Sequence, residues 1–279
     1  MGSRTLLTGG YRNQVWKVRT SSGAVIEKRY AEDPGSPNPM YPNLPDHEAR
    51  AMAHLAGTGC APELVSYQPA DAGHGATVTY RYVPGGAWGR GVGDVARLLH
   101  RVHHVPPPRG MRALHRSAFA ARAHADAMVD DTAPSALRTR LLAARPPAAA
   151  ASEPRRPSLV HTDCGPGNVI RHRGGILLID WQCPGLGDPV EDVACFLSPA
   201  MMILYDTPPH GPGARAGFLG AYDDSTVISR YRRDGAAWHY RIGAYCVWRA
   251  ARLSRRQPDV AARYRRALSA ELDLLEAWA

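Results

Sequence analysis

The sequence predicts an α+β chain of two lobes, an antiparallel sheet with one helix followed by a mostly helical lobe. Three observations predict it. The 279 residues exceed what one hydrophobic core comfortably serves. β-Branched and aromatic segments fill the first 83 residues, and beyond them apolar residues recur every three or four positions. The expected division is a first lobe over 1–83 and a second over 84–279.

The strands come first. QVWKVR (14–19), AVIEKRY (24–30), ELVSYQ (63–68) and ATVTYRY (76–82) are separated by Gly, Ser and Asp turns, and TLL before Gly9 offers a fifth. After the second of these long segments comes the proline-rich DPGSPNPMYPNLP, then HEARAMAHLAG, a helix with Asp46 as N-cap and Gly57 as stop. VPGG, starting at Val83, reads as a hinge turn. Beyond it, DVARLLHRVHH repeats apolar residues at 95, 98, 99 and 102. AARPPAAAASEPRRPS (143–158) has the composition of a surface linker. DPVEDVACFLSPAMMILY is helical at 190, 193, 194 and 197, with Asp188 as N-cap and Pro189 at the first position. In the last segment Val260, Tyr264, Leu268, Leu272 and Leu275 make one apolar stripe, which leaves Arg263, Arg266 and Glu276 largely off it.

Composition excludes several classes. Hydrophobic content of 44% and charged content of 21% are ordinary for a globular chain, and no apolar run reaches the roughly 18 residues of a membrane helix. The N-terminal segment meets a Gly-Gly turn too soon for a signal peptide, so a cytoplasmic protein is expected. Five scattered cysteines without a CxxC pair indicate reduced thiols rather than disulfides or zinc. The net charge of +9 raises a nucleic-acid reading, yet no basic stripe interleaved with aromatics supports it. Only Lys17 and Lys28 of the 34 basic residues are lysine, so a lysine here reads as a chemical choice.

The chemistry centres on HTDCGPGN (161–168), followed by VIRHRGGILLIDWQ. The latter is a hairpin of two apolar strands around a glycine turn, which should bring Asn168 and Asp180 to one edge. Two hard oxygen ligands facing one point suit magnesium completed by phosphate oxygens. Asp163, on the same loop, is close enough to receive a proton from a substrate hydroxyl, and Gly165-Pro166-Gly167 permits the approach.

HTDCGPGN resembles the catalytic loop of the aminoglycoside phosphotransferase and choline kinase superfamily, whose members are related to protein kinases, and ILLIDWQ resembles its metal-binding strand. GLGDPVEDVACFLS, HEARAMAHLAG and GGYRNQVWKV extend the resemblance over most of the chain. It implies a protein-kinase-like fold with ATP and Mg2+ as cofactors. Asp163 would be the catalytic base, and Asn168 and Asp180 the metal ligands. Lys28 would contact the nucleotide phosphates and Glu48 orient it, with Tyr82 and Val83 completing the nucleotide site between the lobes. GGYRNQ would be the phosphate-covering turn, although it departs from G-x-G-x-x-G. The partner implied is a small-molecule alcohol.

Simpler roles stand beside these. Lys28 is otherwise an exposed strand lysine and Glu48 a first-turn acid. His161, Asp188 and Asp192 read as loop supports. His100 and His104 have a zinc-compatible spacing but no third ligand, which favours a helix-end role. Cys164 and Cys183 read as small hydrophobes. IDWQ is closest to the choline and thiamine kinase branch, so choline or a related amino alcohol is the expected acceptor, with Trp181, Trp238, Tyr245 and Trp248 as candidates to face a cation. For the last three, core packing is the competing reading. An aminoglycoside phosphotransferase and a catalytically silent nucleotide-binding module are the alternatives.

Overall fold

The computed structural model describes residues 3–7, 13–31, 38–72, 74–147, 153–154 and 156–278. Strands β1 (Arg4–Leu7), β2 (Gln14–Thr20), β3 (Gly23–Arg29), β4 (Leu64–Gln68) and β5 (Thr77–Arg81) form one antiparallel sheet in the order β1-β2-β3-β5-β4. The alternation of β3 explains its place. Ile26 and Lys28 are buried, and their register partners Tyr80 and Val78 on β5 are buried with them, so one face of the sheet is covered.

Helix α1 (Pro45–His54) covers that face through Ala49, Ala51 and Met52. Its start differs from expectation. Leu44 occupies the N-cap and Pro45 opens the first turn, so Asp46 lies inside the helix, where its charge favours the N-terminal dipole. The helix stops at His54, before Gly57. GGYRNQ falls largely outside the described residues, as do 32–37 and part of the proline-rich 143–158 segment.

VPGG is more than a turn. Gly85–Ala87 forms β6, which pairs with β8 (Val169–His172), itself paired with β9 (Gly175–Leu178). A Cβ on Gly85 would stand 2.3 Å from the Arg171 carbonyl oxygen, so only glycine lets these strands meet. A shorter pair joins β7 (Ser158–Val160) to β10 (Gly185–Gly187), so the end of the presumed linker is strand.

The helices of the second lobe are α2 (Val92–His104), α3 (Ala118–Asp130), α4 (Ala136–Ala143), α5 (Val190–Leu197), α6 (Pro199–Leu204), α7 (Pro212–Ala221), α8 (Ser225–Leu253) and α9 (Pro258–Glu276). The stripe of α2 is fully buried at Val95, Leu98, Leu99 and Val102. In α5 all eight residues are buried, because it runs through the middle of the lobe. Pro189 is its N-cap, and Asp188, one residue earlier, accepts the Val190 N–H at 3.1 Å while its other oxygen pairs with Arg230. The α9 stripe is buried at Leu268, Leu272 and Leu275 and half-buried at Val260 and Tyr264. No helix among the described residues is long and apolar enough to cross a membrane.

Candidate active site

Residues 161–180 carry a connected polar network. The β8–β9 hairpin has Val169 opposite Leu178, and the Ile179 N–H reaches the Asn168 carbonyl at 2.9 Å. Asn168 and Asp180 therefore share one edge, as the hairpin pattern predicts. Asp180 and Thr162 both have positive φ, 61° and 70°. Such strain persists only where surrounding bonds over-determine it.

The surrounding bonds are supplied largely by Asp192 of α5. Its two carboxylate oxygens accept the His161 and Thr162 N–H groups, each at 2.8 Å, and His103 Nε2 of α2 lies 3.0 Å away. Burial works against this charge, but hydrogen bonding from His103 and the nearby imidazoles hold the carboxyl below its ordinary range. His161 is fully buried, and its Nε2 lies 2.9 Å from the Ile179 carbonyl. Loop, hairpin and helix are thus tied at one point.

Asp163 lies partly buried at the mouth of this network, with Oδ1 accepting the Tyr205 hydroxyl at 3.1 Å. Burial and the neighbouring Asp180 push its carboxyl up to about 8, while the bonds from Tyr205 and Asn168 pull the other way. Tyr205 follows α6, and its ring lies over Gly165 and Gly167. A Cβ on either glycine would stand 2.3 Å from a ring carbon. The glycines therefore admit a tyrosine to the loop, a reason that sequence alone did not supply.

Asn168 spends both amide hydrogens, one on the Asp163 carbonyl at 2.7 Å and one on the Tyr205 hydroxyl at 2.9 Å. Its side-chain oxygen takes no hydrogen bond among the described residues. With the Asp180 carboxylate it makes an oxygen-only donor pair, which fits magnesium carried on nucleotide phosphates and does not fit a soft metal.

Across from Asp180 stands Lys28 on β3. Its ammonium contacts Asp180 directly and lies 3.0 Å from Glu48 of α1. Burial alone would lower the lysine's pKa; the two carboxylates reverse this and raise it. Glu48 is fully buried and also receives the Tyr30 hydroxyl. Lys28 thus joins sheet, helix and hairpin. Tyr82 and Val83 follow β5 at the junction of the lobes, both half-buried, and the other lysine, Lys17, lies 3.6 Å over the Tyr82 ring.

The aromatic candidates are placed differently. Trp181 is fully buried, its indole N–H on the Leu178 carbonyl at 3.0 Å and its ring 4.5 Å from His161. It buttresses the hairpin and offers no face to a cation. Trp238 is likewise core, and Trp248 turns away to Asp131, which accepts its N–H at 3.1 Å. Tyr245 packs edge-on to Tyr41 at 4.9 Å, and its hydroxyl accepts from Asn38 at 2.8 Å. Within this stripe, packing decided most positions. Cys164 donates to the Asp192 carbonyl and Cys183 accepts from Thr162; burial pushes both thiols well up. His104 Nδ1 hydrogen-bonds the His100 carbonyl at 2.8 Å.

Tyr205, His103 and Tyr41 were not singled out in the sequence. None carries a motif of its own, and each reaches the site from an element distant in sequence.

The profile of the phosphotransferase enzyme family matches residues 3–238. Among curated proteins none matches the chain. Among solved structures the chain is similar to a putative aminoglycoside phosphotransferase from Ralstonia eutropha, at 14% identity and a TM-score of 0.70 over 99% of this chain and 93% of that one. It is similar to an ethanolamine kinase from Plasmodium vivax, at 13% identity and a TM-score of 0.64 over 100% and 83%. A thermostable aminoglycoside phosphotransferase mutant in a ternary complex with ADP and hygromycin B gives 15% identity and a TM-score of 0.65 over 97% and 93%. The family match covers most of the chain and the kinase-like fold agrees with it, so the chain belongs to the phosphotransferase enzyme family and is an ATP-dependent phosphotransferase acting on a hydroxyl group.

Proposed function

We propose that the chain transfers the γ-phosphoryl group of ATP to the hydroxyl of a small amino alcohol of the choline type. The observation that carries this reading is the convergence of Asp163, Asn168 and Asp180 with the Lys28–Glu48 pair. One carboxylate is set apart from the metal-type ligands and held by Tyr205.

In this mechanism Asp163 accepts the proton of the acceptor hydroxyl as its oxygen attacks the γ-phosphorus, and Tyr205 fixes the direction of the accepting oxygen. Burial and the neighbouring Asp180 raise the Asp163 carboxyl, and this strengthens its deprotonated form as a base. Asn168 and Asp180 would hold Mg2+, which when bound neutralises charge on the transferred group. Lys28 reaches the phosphates, and Glu48 keeps its ammonium oriented. Tyr82 and Val83 line the base end of the nucleotide site. The arrangement positions and neutralises; it needs no covalent intermediate.

The amino-alcohol reading draws on the Tyr205 ring beside Asp163, in place of the buried Trp181. Such rings attract an organic cation. ADP release with MgATP and choline, ethanolamine or kanamycin tests the reading. Turnover of a small amino alcohol is expected, and turnover of kanamycin alone would contradict it.

A further inference from the structure

The chain leaving Asp180 is held from three sides before it reaches β10. From the first lobe, the Leu44 N–H donates to the Gln182 carbonyl at 3.0 Å, and the Asn13 amide donates to the Gln182 side-chain oxygen at 3.2 Å. From the catalytic loop, the Thr162 hydroxyl donates to the Cys183 carbonyl at 2.9 Å. The third side is Arg112, a half-buried residue in the stretch between α2 and α3. Its Nη2 donates to the Cys183 carbonyl at 2.6 Å and its Nε to the Pro184 carbonyl at 3.1 Å. Arg230 and Arg241 meet carboxylates in the same lobe, whereas Arg112 turns its guanidinium onto two successive main-chain carbonyls. A planar fork reaches both oxygens at once, and the point charge of a lysine does not. Bonds from a charged donor are stronger than neutral ones, so they hold a loop in one conformation.

The main chain of Arg112 is fixed in turn. Its carbonyl accepts the Leu186 N–H at 2.9 Å, and the Leu114 N–H returns to the Leu186 carbonyl at 2.9 Å, so residues 112–114 run beside β10. The Arg112 N–H points to Nδ1 of His47 on α1 at 3.4 Å, and His47 immediately precedes Glu48. Arg112 therefore touches both the segment behind Asp180 and the helix that carries Glu48. Those are the two carboxylates that share the Lys28 ammonium. Asp180 itself sits at φ 61°, a conformation that persists only where its surroundings hold it.

We infer that Arg112 is a positioning residue of the nucleotide-phosphate end of the site: its fork fixes the main chain of residues 183–184 and thereby sets Asp180 against Lys28 and Glu48. This rests on the reading of Asp180 and Lys28 as the groups that meet the nucleotide. The Arg112 side chain bonds neither Asp163 nor Tyr205, so its effect falls on the nucleotide and spares the acceptor.

The test uses Arg112→Met, which removes every donor, and Arg112→Lys, which keeps the charge without the fork. Arg109→Met, at an exposed cation three residues earlier, is the control. Steady-state kinetics give the KM for MgATP and for the acceptor best used by the wild type. Calorimetry gives the affinity for AMP-PNP with Mg2+, hydrogen exchange reads the 181–187 segment, and thermal melts check the fold. Arg112→Met should weaken AMP-PNP binding and raise the KM for MgATP about 10- to 100-fold, with the acceptor KM unmoved. Arg112→Lys should lie between it and the wild type, and Arg109→Met should match the wild type. Exchange in Arg112→Met should quicken over residues 181–187 and stay slow in α5. Unmoved nucleotide affinity in Arg112→Met overturns the inference. So does a lowered kcat with an unchanged KM for MgATP and a lowered melting temperature, which marks Arg112 as structural only. A wild-type chain that binds no AMP-PNP overturns the inference and the phosphate-site reading together.

Discussion

The loop-and-hairpin segment from His161 to Asp180 and the aromatic cup around Tyr245 lie side by side and are built in opposite ways. In the first, nearly every polar group has a partner close in sequence or on α5. Asn168 bonds Asp163, Ile179 bonds Asn168, and Asp192 takes the N–H groups of His161 and Thr162. The cup collects Asn38, Tyr41, Tyr205, Tyr245 and Tyr264 from four separate segments. The chemistry sits on a rigid local frame; selectivity sits on groups that evolution can change one at a time.

The largest effect expected in the frame is on phosphoryl transfer. Lys28→Met removes the cation proposed to meet the phosphates and leaves Glu48 buried without it. Steady-state kinetics should show a loss of about 10²- to 10³-fold in activity, whereas a loss below tenfold would place the phosphates elsewhere.

Asp192→Ala sharpens the comparison through stability. It strands the buried His161 and Thr162 N–H groups, at about 1–3 kcal/mol each. Thermal denaturation should reveal a drop of about 5–15 °C together with lost activity. Tyr41→Phe in the cup removes only a bond to Met201 sulfur and should leave the melting temperature almost unchanged.

Acid provides a third contrast. The His115 and His124 rings lie tilted, 4.5 Å apart, beside Arg241, and burial first, then that arginine, brings their pKa values down to about 3 and about 4. His124 Nδ1 accepts from Arg241 and so must be unprotonated. Because both values lie below the unfolded 6.5, their contribution is complete above pH 6.5 and is lost as pH falls toward 4. Denaturation midpoints measured from pH 7 to 4 should fall, and His124→Gln should flatten the slope; a flat wild-type profile would contradict this.

The smallest effect is expected from alkylation. The five cysteines are all buried, and burial raises the Cys164 and Cys183 thiols. Native protein treated with iodoacetamide should keep its activity, and rapid inactivation would show that a thiol near the loop opens to solvent.

The same contrast explains what could be read from the sequence. The sheet strands, the α2 stripe and the β8–β9 hairpin have local periodicity, so their positions follow from neighbours in the chain. Asp163, Asn168 and Asp180 lie within 18 residues, and the hairpin alone brings the last two together. Lys28 and Glu48 meet because α1 covers the sheet face that carries the lysine. Tyr205 and His103 depend on how helices pack across the lobe, which no spacing encodes. Trp181 misled for the same reason: a tryptophan after the metal-type aspartate can face outward or inward, and His161 and the Leu178 carbonyl hold it inward.

The central claim is that Asp163 is the base of an alcohol phosphotransferase. Its most direct test is ³¹P NMR of reactions containing MgATP and the best acceptor, run with the wild-type chain and with Asp163→Asn at matched thermal stability. The account predicts a phosphomonoester signal from the wild type and a loss of about 10²- to 10⁴-fold in its rate of formation with Asp163→Asn. Comparable phosphomonoester formation by the two proteins would contradict it.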